Sequence, residues 1–238
     1  MIVSINQPAY LPWLGYLHRI AVSDLHIVLD DVQFEKNSYV NRNKIRTKDD
    51  WCWLTVPLKT KGRFGALAIN DVEIADDPRW ARKHADAFRM NYARSAFFGE
   101  HRAFLEDSYA TCCVKLMDLI RPQMAYLLDA YSIRTPSVLS SALKVAGKKD
   151  ELVLALCQAV GATHYLSGPL GRQYIREELF SKAGIKVSYH EFVHPAYSQA
   201  YPGFQAGMCA FDLLCNHGPA SRAILMQPGD VASGVSVA

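Results

Sequence analysis

Two short apolar runs, separated by a helical pattern, open the chain. Residues 2–5 form a run rich in β-branched side chains that ends at Asn6-Gln7-Pro8, and residues 25–29 form a second run that ends at Asp30-Asp31. Both runs have the length and the borders of buried strands. Between them, apolar residues recur at helical spacing from Trp13 to Ala21. Strand, helix and strand within about 30 residues predict a βαβ unit with two parallel strands.

The alternation of strand-like and helical segments is interrupted in the middle of the chain and then resumes. Residues 51–58 alternate as in a strand that is covered on both faces, and residues 68–74 form another strand-like run. Three helical stripes follow between about residues 78 and 132, and Pro122 should break or kink the last helix. Further strands are predicted at 136–139, 163–166 and 187–192, with helices at 150–160 (capped by Asp150), 172–183 and 209–215.

These elements predict a single α/β domain over residues 1–238. We expect a doubly wound, mostly parallel, Rossmann-like sheet with a helical insertion or subdomain at about 78–132. With 238 residues, half of them hydrophobic, the chain can bury a large core. No apolar run approaches the roughly 20 residues that span a bilayer, and no basic-then-apolar leader opens the chain. We therefore expect a soluble, cytoplasmic protein without membrane insertion.

The net charge and the cysteine content narrow the possible classes of protein further. The formal net charge of +3 is too small to indicate nucleic-acid or membrane binding by itself. The six cysteines show no C-x-x-C spacing, and most are expected to be reduced and buried. Zinc-ligand spacing, a Walker loop and a nucleophile elbow are missing from the sequence, so no metal site is predicted from a motif.

Polar residues follow the predicted strands. The carboxyl ends of parallel strands lie at one edge of a sheet, which is where such folds bind ligands. The candidates for substrate binding or catalysis at this edge are Gln7, Tyr10, Asp30, Asp31, Gln33, Ser140, Ser167 and Gly168. One carboxylate of the Asp30-Asp31 pair could bind an amine, a ribose hydroxyl or Mg²⁺, while a simple turn is the alternative.

Two turns between a strand and a helix could bind an anion. Backbone N–H groups at the start of the first helix could hold a phosphate or carboxylate, with Gly15 permitting close approach and His18 nearby. The turn from Ser167 to Arg172 contains two glycines and an arginine and could form a second such site. Tight packing of ordinary turns is the alternative for both.

Two further segments carry candidate residues. The first is basic and includes Lys36, Arg42 and Asn43; it would usually be a solvated loop, but Arg42 suits bidentate binding of phosphate. The second is a proline-bounded loop in which His194 is the best-placed general base, accompanied by Tyr197 and Gln199.

Several segments together carry a family resemblance: QPAYLPWLGY, LDDVQF, NRNKI, WLTVPL, HPAYSQ, FDLLCNHG and the run from GATHYLSG to Tyr174. They resemble the WbqC-like family of bacterial proteins over nearly the whole chain. The resemblance singles out Lys36 and Arg42 within the basic segment. It implies a place among surface-polysaccharide (O-antigen) genes and the transfer of an amino acid, glycine in particular, onto a sugar. Met208-Cys209 stands where a serine is expected, which puts any role of that serine in doubt.

A second, weaker resemblance concerns the fold. The opening βαβ unit and the phrase GATHYLSGPLGRQY resemble nucleotide-binding folds of the HUP type. The His-x-Gly-His signature of that superfamily is not intact, and only Gly15 could fill its glycine.

The first functional hypothesis is a cytoplasmic transferase of O-antigen biosynthesis. It would bind a nucleotide or nucleotide-linked sugar at the sheet edge, with His194, Asp30 or Asp31 as the catalytic base. ATP, through an adenylate, and aminoacyl-tRNA are both conceivable as sources of the activated amino acid, and Mg²⁺ is possible. The alternatives are a nucleotidyltransferase and a non-catalytic accessory protein that binds nucleotide-sugar or RNA. The sequence leaves the oligomeric state open.

Overall fold

The computed structural model describes residues 1–63 and 65–227. The chain divides into two compact units. Unit 1 comprises residues 1–8, 18–32 and 134–192, and unit 2 comprises residues 9–17, 33–133 and those from 193 onwards.

The helices and strands follow one another along the chain with three short 3₁₀ turns between them. In chain order they are β1 (Ile2–Asn6), α1 (Leu14–Ala21), β2 (Leu25–Val28), β3 (Arg42–Arg46), β4 (Trp51–Thr55), α2 (Arg79–Tyr92), α3 (Phe98–Ala110), α4 (Leu116–Ala130), β5 (Ser137–Leu139), α5 (Ser140–Leu143), α6 (Lys149–Ala159), β6 (His164–Ser167), α7 (Glu177–Lys182), β7 (Lys186–Tyr189), α8 (Phe211–His217) and α9 (Ser221–Leu225). The 3₁₀ turns are Ile69–Asp71, Pro169–Gln173 and Gly218–Ala220.

Unit 1 is built on a five-stranded parallel sheet with the order β5-β2-β1-β6-β7. The chain adds β2 and then β5 on one side of β1, and β6 and then β7 on the other. This is the order of the first five strands of the Rossmann fold. The predicted α/β class and parallel sheet, including the opening βαβ unit, are confirmed.

Apolar side chains from the strands and the helices form the core of unit 1. Val3 and Ile5 of β1 and Ile27 of β2 are buried together with Leu156 of α6 and Phe180 of α7. Nearly continuous apolar runs are typical of parallel strands that are covered on both faces. The strands found from the sequence are the ones that carry such runs.

Unit 2 combines an antiparallel hairpin with helices. β3 pairs with β4, and the three predicted helices of the middle segment are α2, α3 and α4. The expected break at Pro122 is wrong, since α4 continues through this residue. Helices α8 and α9 complete the part of unit 2 that the structure describes.

Two predicted strands differ from the structure. β4 pairs with β3 outside the parallel sheet, and on one of its faces Trp51 and Trp53 are only half-buried, so the expected cover on both faces is wrong. Residues 68–74 form a 3₁₀ turn flanked by isolated bridges rather than a strand. Their apolar pattern reflects the burial of Ile69, Val72 and Ile74.

The predicted helix 172–183 is also interrupted, and the cause is a contact distant in sequence. The carboxylate of Asp150 accepts hydrogen bonds from the backbone N–H of Arg176 at 3.2 Å and from its guanidinium at 2.7 Å. This removes the Arg176 N–H from a helical hydrogen bond, and α7 begins only at Glu177. Asp150 is therefore not the N-cap of α6, which is Lys148.

The cysteines divide by exposure. All six are free; Cys157, Cys209 and Cys215 are buried as expected, whereas Cys112 is exposed. Met208 is fully buried beside Cys209, so these two residues are core positions of unit 2.

Candidate functional site

The strand order of unit 1 reverses at β1, between β1 and β6. Because all five strands are parallel, their carboxyl ends lie at one edge, and Gln7, Asp30, Ser140 and Gly168 follow four of them. In open α/β sheets, ligands bind at this edge where the strand order reverses. The ends of β1 and β6, at Asn6 and Ser167, therefore mark the candidate site.

Arg19, in the part of α1 that belongs to unit 1, lies between these two strand ends. Its guanidinium Nη2 donates a hydrogen bond to Oδ1 of Asn6. Its Nη1 lies against the Cα of Gly168, where any Cβ atom would overlap it. Gly168 therefore leaves room for the guanidinium in this position, which a Cβ would force to shift, and a positive charge is held where the strand order reverses.

A histidine pair lies beside this arginine. His18 Nδ1 and His190 Nε2 are 2.8 Å apart, so one ring nitrogen donates to the other. His190 directly follows β7, and its backbone N–H donates to the carbonyl of Ser167 at 2.8 Å. The ring of Phe192 packs on His18 with a centroid distance of 5.2 Å.

Burial and charge keep both rings neutral. Burial lowers the pKa of His18, while burial followed by the charge of Arg19 lowers the pKa of His190 to about 3. A neutral imidazole can accept a proton, and His18 is the better acceptor because it is the more exposed ring of the pair.

The turn after β6 packs tightly on Ser167. The hydroxyl of Ser167 donates to the carbonyl of Gly168 at 3.1 Å, and a Cβ at Gly171 would overlap the Ser167 oxygen. The turn continues as a 3₁₀ helix rather than a regular α-helix, and the second anion site there stays a prediction. Arg172 is exposed, bonds Glu191 at 2.7 Å and lies over the ring of Tyr189 at 4.3 Å.

At the other end of the same edge, Asp30 holds the start of α5. Its carboxylate accepts hydrogen bonds from the backbone N–H of Ser141 at 3.0 Å, the Ser141 hydroxyl at 2.7 Å and the Ser140 hydroxyl at 3.1 Å. These contacts match the turn alternative for Asp30 rather than a catalytic role. Asp31 is exposed and shares the Ser140 hydroxyl, while Gln7 is half-buried after β1.

Tyr10 and Gly15, both predicted to contact ligand, lie in unit 2 and have structural roles. The Tyr10 side chain is fully buried, and its hydroxyl lies 2.7 Å from His84 Nδ1 and 2.5 Å from the Tyr109 hydroxyl. A Cβ at Gly15 would overlap the Trp13 ring, so this glycine makes room for an indole and not for a ligand. Both residues therefore have contacts within the protein, and their contacts with ligand stay predictions.

The residues of the basic segment belong to unit 2 as well. The side-chain amide of Gln33 donates to the carbonyl of Phe34 and accepts a hydrogen bond from the backbone N–H of Leu67. Asn43 is buried, and its amide donates to the Leu11 carbonyl. The Asn43 side chain is therefore enclosed, and its contact with substrate stays a prediction. Lys36 is exposed, and Arg42 donates to the carbonyl of Asn37 at 2.6 Å.

His194, the predicted general base, is enclosed within unit 2. It is 7% exposed, its Nδ1 lies 2.9 Å from the carbonyl of Pro195, and burial lowers its pKa. Tyr197 and Gln199 each donate to the carboxylate of Asp212 at 2.8 Å. Both therefore attach their loop to α8, and their role in substrate binding stays a prediction.

The residues that the sequence reasoning missed at the sheet edge are Asn6 and Arg19, whereas His190 was considered only as a poorer general base than His194. Arg19 occupies a helix position at which an arginine is usually solvated. Its role depends on β6 lying beside β1, which no local pattern shows. One sequence signal could have pointed to Arg19: an amide at the end of a strand, followed by a basic residue in the crossover helix.

Two surface depressions lie elsewhere. One of about 740 Å³ is lined by α7 and β7 residues, including Glu178 and Lys186, and another of about 500 Å³ in unit 2 is lined by Trp80, Cys112 and Cys113. Their linings do not include the side chains of the sheet edge. Over the described ranges, no group of three side chains suited to hold a metal ion occurs. In that same part of the chain, no helix is long and apolar enough to cross a membrane.

Comparison with known proteins decides the family. The sequence model of the WbqC-like protein family matches residues 7–224. The chain belongs to this family. This WbqC-like chain is also 34% identical, over 218 residues, to the uncharacterized protein Rv1507c of Mycobacterium tuberculosis, with 91% of the chain and 94% of the relative covered. No solved structure matches it.

Proposed function

We propose that this WbqC-like protein is a cytoplasmic transferase of surface-polysaccharide (O-antigen) biosynthesis. It would bind a nucleotide-linked sugar at the carboxyl edge of the parallel sheet and join an amino acid, such as glycine, to it. The observation that carries the proposal is Arg19, whose charge is held between the ends of β1 and β6 by Asn6 and Gly168.

The chemistry of this edge suits a phosphate-bearing ligand. The Asn6–Arg19 pair has a net positive charge because the amide is a neutral partner, and guanidinium groups bind phosphate oxygens through paired N–H donors. Gly168 presents backbone without a side chain beside the guanidinium. Arg172 is exposed on the turn that follows β6 and can add a second cation.

The His18–His190 pair supplies a proton acceptor. In the proposed step, an amine or hydroxyl of the bound sugar attacks the carbonyl carbon of an activated amino acid. A new amide or ester bond forms, the bond to the leaving oxygen breaks, and the proton of the nucleophile passes to His18. The activated donor is an adenylate made from ATP or an aminoacyl ester of tRNA. This assignment moves the base from His194 to His18, because His194 is enclosed in unit 2.

A thermal-shift screen tests the proposal with UDP, a UDP-linked amino sugar and ATP, each with and without Mg²⁺. A ligand at 100 times its dissociation constant adds about 2.7 kcal/mol to the free energy of unfolding, which corresponds to a rise of several degrees in Tm. The shift should be lost in Arg19→Gln and clearly reduced in Arg19→Lys, which keeps the charge but not the paired N–H donors.

The control is Arg121→Gln, which makes the same change at an exposed position of α4 and should keep the full shift. Absence of any shift in the wild type at millimolar nucleotide would overturn the ligand class. A full shift in Arg19→Gln would place the site elsewhere.

A further inference from the structure

One face of the β3–β4 hairpin is both basic and aromatic. In the antiparallel register, Arg42 is opposite Thr55 and Lys44 is opposite Trp53, while Trp51 is the next residue of β4 on the same side. Directly opposed residues of an antiparallel pair point to the same face. We call the set Tyr39, Arg42, Lys44, Trp51 and Trp53 the basic–aromatic face.

The other face of the hairpin anchors it in unit 2. Asn43, Ile45 and Leu54 alternate with the residues of the basic–aromatic face and are buried. Arg46, although in register with Trp51, is also enclosed, and its guanidinium donates to the carbonyls of Thr47 and Asp50 at 2.6 Å. The hairpin is therefore fixed from beneath, and its half-buried rings and cations form a preorganised surface.

Each cation of this face is paired with a ring. The Arg42 guanidinium lies 4.4 Å from the centre of the Trp53 ring, and the Lys44 ammonium lies 4.0 Å from that of Trp51 and 5.3 Å from that of Trp53. The ring of Tyr39, which is 38% exposed, is 5.9 Å from Trp53. The two indoles meet edge to face at 5.7 Å.

Charge is concentrated around this face. Residues 36–63 contain eight Lys or Arg against two Asp, a net charge of +6 in a chain whose total is +3. The remainder of the chain is therefore net negative, at −3. Such an asymmetry indicates an anionic partner for this segment even though the overall charge does not.

We propose that the basic–aromatic face binds a single-stranded nucleic acid. Proteins that bind single strands combine cations that follow the phosphates with aromatic rings on which bases stack, and arginine adds cation–π contacts. A duplex keeps its bases stacked inside, so it would use the cations of this face but not its rings. The proposal does not rest on the nucleotide-sugar site, because it involves different residues in unit 2.

The test measures the binding of a labelled 12-nucleotide single-stranded RNA without self-complementarity. Binding is monitored by fluorescence anisotropy at several salt concentrations. The wild type should bind at low salt and show quenching of its tryptophan emission on binding. Trp53→Leu should weaken binding about fivefold or more, while Trp53→Phe, which keeps an aromatic ring, should retain most of it. Lys44→Gln should weaken binding and reduce the slope of log affinity against log salt by about 0.7.

The matched control is the double variant Lys182→Gln/Lys186→Gln, which removes two exposed lysines from unit 1 and should bind like the wild type. If Trp53→Leu fails to fold, the other two variants still test the proposal. Trp53→Phe must show less quenching of tryptophan emission on binding, and Lys44→Gln must bind more weakly. The proposal is overturned if the wild type does not bind, if the lysine matters but the ring does not, or if the RNA duplex or dextran sulfate binds as tightly as the single strand.

Discussion

Unit 1 and unit 2 each contain a polar cluster built around an arginine, but the two clusters differ in access. In unit 2, Arg46 is 2% exposed and donates to the carbonyls of Thr47, Asp50 and Pro202. In unit 1, Arg19 is only half-buried and lies where the strand order reverses. The first cluster is enclosed by protein acceptors, whereas the second is placed where parallel sheets bind ligands.

The unit 2 cluster extends to a buried carboxylate. Asp212 is fully buried and accepts hydrogen bonds from the hydroxyls of Tyr92 and Tyr197 and from the amide of Gln199, each at 2.8 Å. Burial raises the pKa of Asp212, and these donors oppose that effect. Polar groups satisfied in this way stabilise a fold, so they should be read as structural despite their catalytic residue types. The comparison predicts stability losses in unit 2 and ligand-binding losses in unit 1.

The largest expected effect comes from Asp212→Ala. The substitution leaves the buried hydroxyls of Tyr92 and Tyr197 and the half-buried amide of Gln199 without this acceptor. Each buried donor left unsatisfied costs about 1–3 kcal/mol, so we expect a total of about 3–5 kcal/mol. Urea unfolding measures this change. The control Asp107→Ala, at an exposed position of α3, should change the free energy of unfolding by less than about 0.5 kcal/mol. A loss at Asp212 as small as at Asp107 would show that the cluster is not structural.

The next effect is a pH dependence that arises inside unit 2. Burial lowers the pKa of His84, which bonds the Tyr10 hydroxyl, to about 4. In the unfolded chain its pKa is about 6.5, so between about pH 6.5 and pH 4 the unfolded state binds a proton that the folded state does not. Stability contributed by this group is complete above pH 6.5 and is lost as the pH falls, by about 1.4 kcal/mol per pH unit.

Urea unfolding at several pH values tests this dependence with His84→Gln. The variant should show a slope of unfolding free energy against pH that is smaller by about 1.4 kcal/mol per unit between about pH 6 and pH 4. Parallel profiles for wild type and variant would contradict the assignment of this titration to His84.

These contrasts also show which parts of the molecule could be read from the sequence. β1, α1 and β2 were predictable because apolar runs and helical spacing are local signals. β3 was missed because RNKIR is polar, and its burial follows from pairing with β4. The helix predicted at 172–183 is interrupted because the carboxylate of Asp150, distant in sequence, accepts a hydrogen bond from the backbone N–H of Arg176.

The candidate site was predictable only in outline. The edge itself follows from the alternation of strands and helices, so Gln7 and Gly168 were placed at strand ends correctly. Arg19 could not be assigned, because its position between β1 and β6 depends on the strand order. Tyr10 and His194 were selected by residue type, and the structure encloses both.

The smallest effect should show whether the packing of Gly168 against Arg19 matters for ligand binding. In Gly168→Ala the new methyl group displaces the Arg19 guanidinium, the mobile end of a flexible side chain, so we expect a stability loss of less than about 1 kcal/mol together with loss of the nucleotide-induced Tm shift. Gly99→Ala is the matched control, since a Cβ there meets nothing within 4 Å and α3 should gain about 0.5–1 kcal/mol. A Gly168→Ala protein with an unchanged shift would show that the position of Arg19 is irrelevant to binding.

The most direct test of the central claim is photolabelling with an azido-substituted UDP-sugar or ATP, followed by mapping of the labelled peptides. The account predicts labelling that unlabelled nucleotide suppresses, within residues 6–8, 18–19 or 167–172, at the ends of β1 and β6 and the adjacent part of α1. Suppressible labelling confined to unit 2, or no suppressible labelling at all, would contradict it.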